Sequence, residues 1–298
     1  MLATWKYRVR DTFIQRLDPR TRLIFLFSVI FGLTIPEIWD YRIIVPLFVL
    51  SLTLYFMARI EWKDVWRAWV FILVFVIVIV GVNGILSGRG GPDSVREIAS
   101  PTLFEIPFYI PGTEWGFSVP ITISKVWFGL VQMTRMLSMA ILAIPIPYTM
   151  APDVYGVSFR RMGASDKFSF AMDLAFRFLP TFSRDFATTV DAQRARGYEM
   201  EVLKGGIAAK LRRLAPLIIP VTMQATVTGE DVIDAMDLRA FDTNKRTWIK
   251  SVELKYAPRD YAMLGLGAAI FIGCCLLKWV FGIGAFFIPD FFTAFLGY

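Results

Sequence analysis

The sequence contains no histidine among its 298 residues and only two cysteines. Histidine is the usual general base at neutral pH and a common metal ligand, so its absence removes both roles. Cys274 and Cys275 are adjacent inside an apolar run, where we expect packing rather than a disulfide or a metal site. The nucleotide-binding pattern G-x-x-x-x-G-K-[ST] is also absent. We therefore predict no catalytic residue, no bound metal and no cofactor for this chain.

Long apolar runs are what the chain has in abundance. Hydrophobic residues make up 56% of the sequence, above the 45–50% that is typical of soluble proteins. A bilayer crossing needs about 20 mostly apolar residues in a helix. The sequence thus predicts an all-α, polytopic membrane protein with about five transmembrane helices, over residues 23–35, 43–58, 68–86, 121–146 and 261–281.

The polar stretches divide the chain into three predicted parts. Residues 1–147 hold the N-terminal transmembrane helices, residues 148–259 form an amphipathic, strongly basic region, and residues 260–298 hold the last transmembrane helix with a Phe-rich tail. Glycine and proline in residues 87–120 predict a loop. We expect the tail after residue 281 to be a reentrant or interfacial segment, with a short sixth span as the alternative.

The distribution of lysine and arginine predicts the orientation. Positive residues crowd into residues 1–22, 59–67 and 148–259, whereas Arg42, Arg89 and Arg96 fall on the opposite side. Cytoplasmic segments carry the excess of such residues, so we expect the N-terminus and residues 148–259 in the cytoplasm. The net charge of +7 then indicates contact with anionic lipid or a protein partner in the cell membrane, and not nucleic acid.

Two amphipathic helices are predicted in the basic region. The first is expected to open at Pro180 and to end at Arg196, with Gly197 in a left-handed conformation. The second is expected from about Pro220 to Phe241. Both end in an arginine, which suits the negative end of the helix dipole and also offers five donors for docking to a partner.

Two further polar positions stand out near the apolar runs. Asp18 followed by Pro19 predicts the cap and the first residue of the first helix. Arg135 lies within a membrane run, where a charge is costly and usually paired or functional. It is a candidate for coupling or contact with a partner subunit, for pairing inside the bundle, or for snorkelling to the membrane edge.

The chain resembles the transmembrane T components (EcfT, CbiQ-like) of energy-coupling factor transporters, which are related to ABC importers. Four segments carry the resemblance in the family's order, over residues 17–281. They are Leu17-Asp18-Pro19-Arg20-Thr21-Arg22-Leu23, Arg177-Phe178-Leu179-Pro180, Ala192-Gln193-Arg194-Ala195-Arg196-Gly197 and Asp234-Ala235-Met236-Asp237-Leu238-Arg239-Ala240-Phe241.

The resemblance implies a coupling role without enzymatic activity. Two ATPase subunits, alike or different, would receive the helix tips, and a membrane-embedded S component would bind a vitamin or other micronutrient. The residues implied in ATPase docking are Ala195, Arg196, Gly197, Leu238, Arg239 and Ala240. The second triplet reads Leu-Arg-Ala where the family has Ala-Arg-Gly, a departure that opens the way to a different helix end.

Other classes remain as alternatives. A stand-alone membrane enzyme would need a base, a nucleophile or a metal site, which the composition does not offer. A secondary transporter would favour repeated halves with charged or broken helices at mid-membrane. An ordinary ABC permease would carry one coupling helix per subunit, and two long amphipathic helices in one chain favour the T component instead.

Overall fold

The computed structural model describes residues 7–85, 102–109, 116–198, 207–241 and 254–289. The chain forms two compact units. Of the described residues, one unit, here called the membrane unit, contains those from 7 to 151 and those from 254 onward. The other, here called the coupling unit, is the intervening stretch from Pro152 to Glu253.

The described part of the membrane unit is a helical bundle with one hairpin. Its helices are α1 (Pro19–Thr34), α2 (Tyr41–Met57), α3 (Trp62–Ile85), α4 (Ile123–Ala143), the short α5 (Pro145–Thr149) and α9 (Pro258–Trp279). Strands β1 (Thr102–Tyr109) and β2 (Gly116–Thr122) form the hairpin.

Within the described ranges, three helical stretches are long and apolar enough to cross a bilayer. They cover Trp62–Asn83, Ile123–Thr149 and Pro258–Trp279. The apolar helix α2 has 17 residues and α1 has 16, so both fall short of the usual length. The prediction of a helical membrane protein is confirmed, and each of the five predicted spans corresponds to a helix.

The hairpin corrects one prediction. Residues 102–109 and 116–120 lie inside the segment predicted as a loop, yet they pair antiparallel, with Ile106 opposite Val119. The prolines of the segment misled the prediction. In a two-stranded sheet both strands are edges, where a missing N–H is tolerated. The remaining residues of the predicted loop lie outside the described ranges.

Close helix crossings hold the bundle together. Helix α1 packs on α9, and α2 and α3 pack on α4. A Cβ built on Gly32 would lie 3.3 Å from the Cα of Phe271, and one on Gly267 would lie 3.2 Å from the ring of Phe25. Glycine therefore lets the backbones of α1 and α9 approach closely.

The segment after α9 returns to the end of the bundle. The backbone N–H of Trp39 donates to the carbonyl of Gly284 at 2.9 Å, and the indole Nε1 of Trp127 donates to the carbonyl of Phe287 at 2.9 Å. Phe286 is buried against Phe128, with ring centroids 6.0 Å apart. Phe286 thus belongs to the core and Ile288 packs against it, whereas Ile283 and Phe287 are exposed. The rest of the Phe-rich tail lies outside the described residues.

The coupling unit is built on two long helices. A 3-10 turn (Pro152–Val154) and α6 (Tyr155–Arg161) precede α7 (Asp166–Ala195) and α8 (Ile207–Leu238). The predicted starts at Pro180 and Pro220 are wrong, because both prolines lie inside their helices. The Ser165 side chain accepts from the Phe168 N–H and caps α7. A proline removes only one hydrogen bond of a long helix that is continued on both sides.

Candidate functional site

The predicted docking residues close α7 in a glycine-dependent turn. Arg196 is the last residue before the turn, and Gly197 takes φ +82°, the left-handed region that glycine adopts without strain. The Gly197 N–H donates to the carbonyl of Arg194 at 2.9 Å, and the Tyr198 N–H donates to that of Gln193 at 3.0 Å. These two backbone hydrogen bonds together form a Schellman motif. The prediction of a left-handed Gly197 is confirmed.

Helix α8 ends with the same hydrogen bonds. The Ala240 N–H donates to the carbonyl of Asp237 at 2.9 Å, and the Phe241 N–H donates to that of Met236 at 3.0 Å. Ala240 takes φ +51°, so an alanine occupies the position that Gly197 fills in α7. The departure from Ala-Arg-Gly therefore does not alter the helix end, and Arg239 has the same backbone position as Arg196.

Both arginines are exposed at these ends. Arg196 and Arg239 lie on the surface together with Ala195 and Ala240, and Leu238 is 90% exposed. An exposed leucine beside an exposed arginine gives an apolar contact and a planar cation on one small surface. We call the two triplets, Ala195–Gly197 and Leu238–Ala240, the arginine tips.

The arginine tips lie at opposite ends of an antiparallel helix pair. The Phe170 ring, early in α7, packs on Phe241 just after α8, with centroids 4.8 Å apart. Gln193 Nε2, late in α7, donates to the carbonyl of Pro216 in the first half of α8 at 3.3 Å. At 1.5 Å per residue these two contacts are about 35 Å apart along α7. The two tips are therefore too far apart to bind the same few residues of one partner protein.

An apolar groove follows the helix pair near the α8 tip. It has a volume of about 460 Å³ and is lined on one side by Phe170, Leu174 and Phe178 of α7 and on the other by Val232 and Met236 of α8. Within the same pair, the second half of α8 also exposes apolar side chains, with Val227 52% and Ile233 58% exposed. The pair thus exposes apolar side chains on α8 beside the groove, and exposed apolar patches commonly mark surfaces that bind other proteins.

Helix α6 is fixed to α7 at a glycine contact. A Cβ on Gly156 would overlap the Asp173 carboxylate and would lie 2.6 Å from the carbonyl of Ser169. Burial raises the pKa of Asp173, and the charge of Asp153 adds to the rise, although a hydrogen bond from the Gly156 backbone opposes it. The carboxylate is therefore easier to protonate than an exposed aspartate, and α6 cannot shift on α7 without disturbing it.

The structure places Arg135 inside the bundle of the membrane unit. Its Nη2 donates to the carbonyl of Leu33 at 2.9 Å, and its guanidinium lies 4.5 Å from the centre of the Trp39 ring. Leu33 lies in the last turn of α1, where carbonyls lack helical partners and the helix dipole favours a cation. Arg135 thus joins α4 to the end of α1.

Sequence reasoning missed the partners of the first motif. Asp18 caps α1 with Pro19 at the first helical position, as predicted. The sequence did not point to Asp260, which accepts the Asp18 N–H at 2.7 Å, or to Thr149, whose carbonyl accepts from Arg22 at 2.9 Å. The only local signal was a carboxylate at the third position of α9, directly after Pro258 and Arg259.

Taken together, the apolar helices and the arginine-tipped helix pair define a polytopic membrane protein with a second, helical unit. A family model described as cobalt transport protein (CbiQ) matches residues 10–248. The chain therefore belongs to the CbiQ/EcfT family, the transmembrane T components of energy-coupling factor transporters, as its four motifs had indicated.

Individual relatives agree with this family over nearly their whole length. The chain is 26% identical to the energy-coupling factor transporter transmembrane protein EcfT of Staphylococcus aureus (strain 04-02981), over 93% of this chain and 97% of the relative. It is 25% identical to the EcfT protein of Thermotoga maritima, over 90% and 91%. The EcfT protein of Clostridium kluyveri is 24% identical, over 86% and 89%.

Proposed function

We propose that this chain couples ATP hydrolysis by two partner ATPase subunits to uptake of a vitamin or other micronutrient. The substrate is bound by a separate S component in the membrane, and the ATPases, alike or different, bind the nucleotide. The chain itself has no catalytic site and no cofactor in this proposal. The N-terminus and the coupling unit face the cytoplasm, where the lysine and arginine residues are concentrated.

One observation carries the proposal: two exposed arginine tips with the same backbone geometry stand at opposite ends of one helix pair. A dimer of ATPases offers two equivalent docking grooves, and two separated tips give each groove its own contact. Closure of the ATPase dimer would then move the tips relative to each other. A long helix resists bending, so the movement is carried along α7 and α8 to the apolar groove between them, where an S component can respond.

Isolation of the intact complex tests the partners. The tagged chain is purified from its native membrane in mild detergent, and the proteins that accompany it are identified by mass spectrometry. We expect one or two ATPases with phosphate-binding loops and one small, very hydrophobic protein, which would identify the substrate. Recovery of the chain alone, even after cross-linking, would contradict the proposal.

Charge reversal at one tip tests docking. We expect Arg196→Glu to abolish uptake at normal expression, because an arginine anchor at a protein interface is often worth 2 kcal/mol or more, about a thirtyfold loss of affinity. Arg194→Glu is the matched control: it lies in the last turn of α7, is exposed, and contacts Asp191 at 3.6 Å. It should retain uptake.

The second tip should respond in the same way. Arg239→Glu is expected to reduce co-purification of the ATPases as Arg196→Glu does, since both arginines hold the same position before a Schellman turn. Full uptake by both tip variants at wild-type expression would rule out docking through the tips.

A further inference from the structure

The coupling unit is an insertion in the membrane unit, so two chain connections join them. The chain enters the coupling unit after Ala151 and returns to the membrane unit at Leu254. If the connections were loose, movement of the coupling unit would be lost in them. The residues that flank each connection, on the membrane side, are therefore the places to look for rigid contacts.

Arg22 holds the entry connection. Its Nη1 donates to the carbonyl of Thr149 at 2.9 Å and to the Thr149 hydroxyl at 3.2 Å. Its Nη2 and Nε donate to the carbonyl of Leu17 at 2.8 and 3.2 Å. Thr149 is the last residue of α5 and is 3% exposed, so its carbonyl would otherwise be buried beyond a helix end without a helical partner. The entry is thus tied to the residues that begin α1.

Asp18 holds the exit connection through Asp260. The Asp18 N–H donates to Asp260 Oδ1 at 2.7 Å, and the N–H of Ala257 donates to Asp260 Oδ2 at 2.8 Å. Asp260 is 1% exposed and lies in the first turn of α9. One buried carboxylate therefore joins the segment that returns from the coupling unit to the residue that caps α1.

Arg20 completes the exit contact. Its Nε and Nη2 donate to the two Asp18 oxygens at 3.0 and 2.8 Å, and the pair is almost fully buried. The guanidinium lies 4.0 Å from the centre of the Tyr256 ring, and its Nη2 is 3.5 Å from the carbonyl of Leu254. The ring contact is the firmer of the two, because 3.5 Å is long for a hydrogen bond.

These contacts come from alternate residues of one short motif. Asp18 and Arg20 reach the exit, and Arg22 reaches the entry, all from the first turn of α1 and its cap. Arginine suits this place because its planar fork donates in several fixed directions at once, which lysine cannot do. A buried polar network whose members are mutually paired has few alternative arrangements.

We propose that Asp18, Arg20 and Arg22 act as positioning residues that clamp both connections of the coupling unit to the start of α1. The proposal rests on the coupling function proposed above. Movement of α7 and α8 is then delivered to α1 and, through Asp260, to α9, rather than being taken up by bending of the connections. The motif serves transmission in addition to holding the fold.

The test uses the complete transporter in lipid nanodiscs and proteoliposomes, with Arg22→Gln and Arg20→Gln. Arg16→Gln is the matched control, because Arg16 precedes the same helix and its side chain pairs with the exposed Asp11 at 2.7 Å, away from both connections. Three quantities are measured for each variant: amide hydrogen exchange at residues 147–151 and 254–260, ATP hydrolysis, and substrate uptake per ATP hydrolysed.

We expect a selective effect on each connection. Arg22→Gln should speed exchange at residues 147–151 at least tenfold, and Arg20→Gln should do so at residues 254–260, while exchange in the second half of α1 stays unchanged. ATP hydrolysis should stay within twofold of wild type, whereas uptake per ATP should fall at least tenfold. The Arg16→Gln control should match wild type in all three measurements.

Several outcomes would overturn the clamp. Wild-type exchange at both connections would show that the contacts do not hold them, and wild-type uptake per ATP in both variants would show that they are not needed for transmission. If Arg22→Gln does not assemble, Arg22→Lys, which keeps the charge without the fork, is compared in the same way. Absence of ATP-driven uptake by the wild-type complex would instead refute the coupling function, and the exchange data would still decide whether the connections are held.

Discussion

The left-handed residues at the two arginine tips allow a quantitative prediction. Gly197 and Ala240 occupy the same position of the same turn, at φ +82° and +51°. A left-handed conformation destabilises the folded state by about 1–2 kcal/mol for an L-residue, and glycine avoids this cost. Glycine in turn loses more conformational entropy on folding, which offsets about 0.5–1 kcal/mol of its benefit. Ala240→Gly should therefore stabilise the end of α8 by about 0.5–1 kcal/mol, and Gly197→Ala should destabilise the end of α7 by a similar amount.

Packing does not complicate the comparison. A Cβ on Gly197 would meet nothing within 4 Å, and Ala240 is exposed, so neither change adds a clash or empties a cavity. Hydrogen exchange at the Tyr198 and Phe241 amides reports the two turns, because each amide donates the bond that closes its turn. Since 1.4 kcal/mol is a factor of ten, the exchange rates should change about two- to fivefold, slower at Phe241 in Ala240→Gly and faster at Tyr198 in Gly197→Ala.

The double variant provides the control. Because the tips are about 35 Å apart, their effects should add, and each amide should behave as in its own single variant. Unchanged exchange at Phe241 in Ala240→Gly, or faster exchange there, would refute the reasoning from backbone conformation. Protection at Tyr198 that survives Gly197→Ala would refute it for α7.

Three further predictions concern stability, measured as thermal unfolding in detergent. Gly156→Ala should lower the free energy of unfolding by about 2 kcal/mol or more, because the new methyl group overlaps the Asp173 carboxylate. Gly229→Ala is the control within α8; its new methyl group meets nothing within 4 Å, so this change should be neutral or stabilising. Equal unfolding midpoints for the two variants would contradict the α6–α7 contact. Asp173→Asn should raise the unfolding midpoint at pH 7, because the raised pKa of Asp173 means that its charged form is disfavoured in the folded state. The stability difference between the variant and the wild type should shrink as the pH falls through that pKa, because the wild-type carboxyl then becomes neutral. A stability difference that grows on acidification would contradict this reasoning. Arg135→Ala should cost about 1–3 kcal/mol, because it removes the charged hydrogen bond to the Leu33 carbonyl and the contact with the Trp39 ring. The Leu33 carbonyl would keep the N–H of Ile38 at 3.3 Å, and an unchanged midpoint would mean that this bond is enough.

The sequence was most informative where a local rule determines the structure. An aspartate followed by a proline predicted the cap of α1, and a glycine after Arg196 predicted the left-handed end of α7. The apolar runs predicted the helices of the membrane unit, since lipid leaves few alternatives to a helix for the backbone. The family motifs indicated the T component, which the family match confirmed. Docking through the tips stays a prediction.

The sequence was misleading where the surrounding structure overrides a local rule. Pro180 and Pro220 marked helix starts by rule, yet neighbouring turns carry the helices across both prolines. The glycines and prolines of residues 87–120 predicted a loop, yet residues 102–109 and 116–120 within it form paired strands. The contact from Asp18 to Asp260 spans 242 positions of sequence, and no local pattern specifies such a pair.

The split membrane unit sets a time window during synthesis. Helix α1 packs on α9, but about a hundred residues of the coupling unit separate the two halves of the membrane unit in the chain. At 5–20 residues per second, a ribosome needs about 5–20 s to make that stretch. Throughout that interval Asp18 has no Asp260 to accept its N–H, and the face of α1 around Gly32 has no α9 to pack on. The insertion machinery must therefore shelter a half-built bundle, and a slow codon run within residues 152–253 would prolong that exposure.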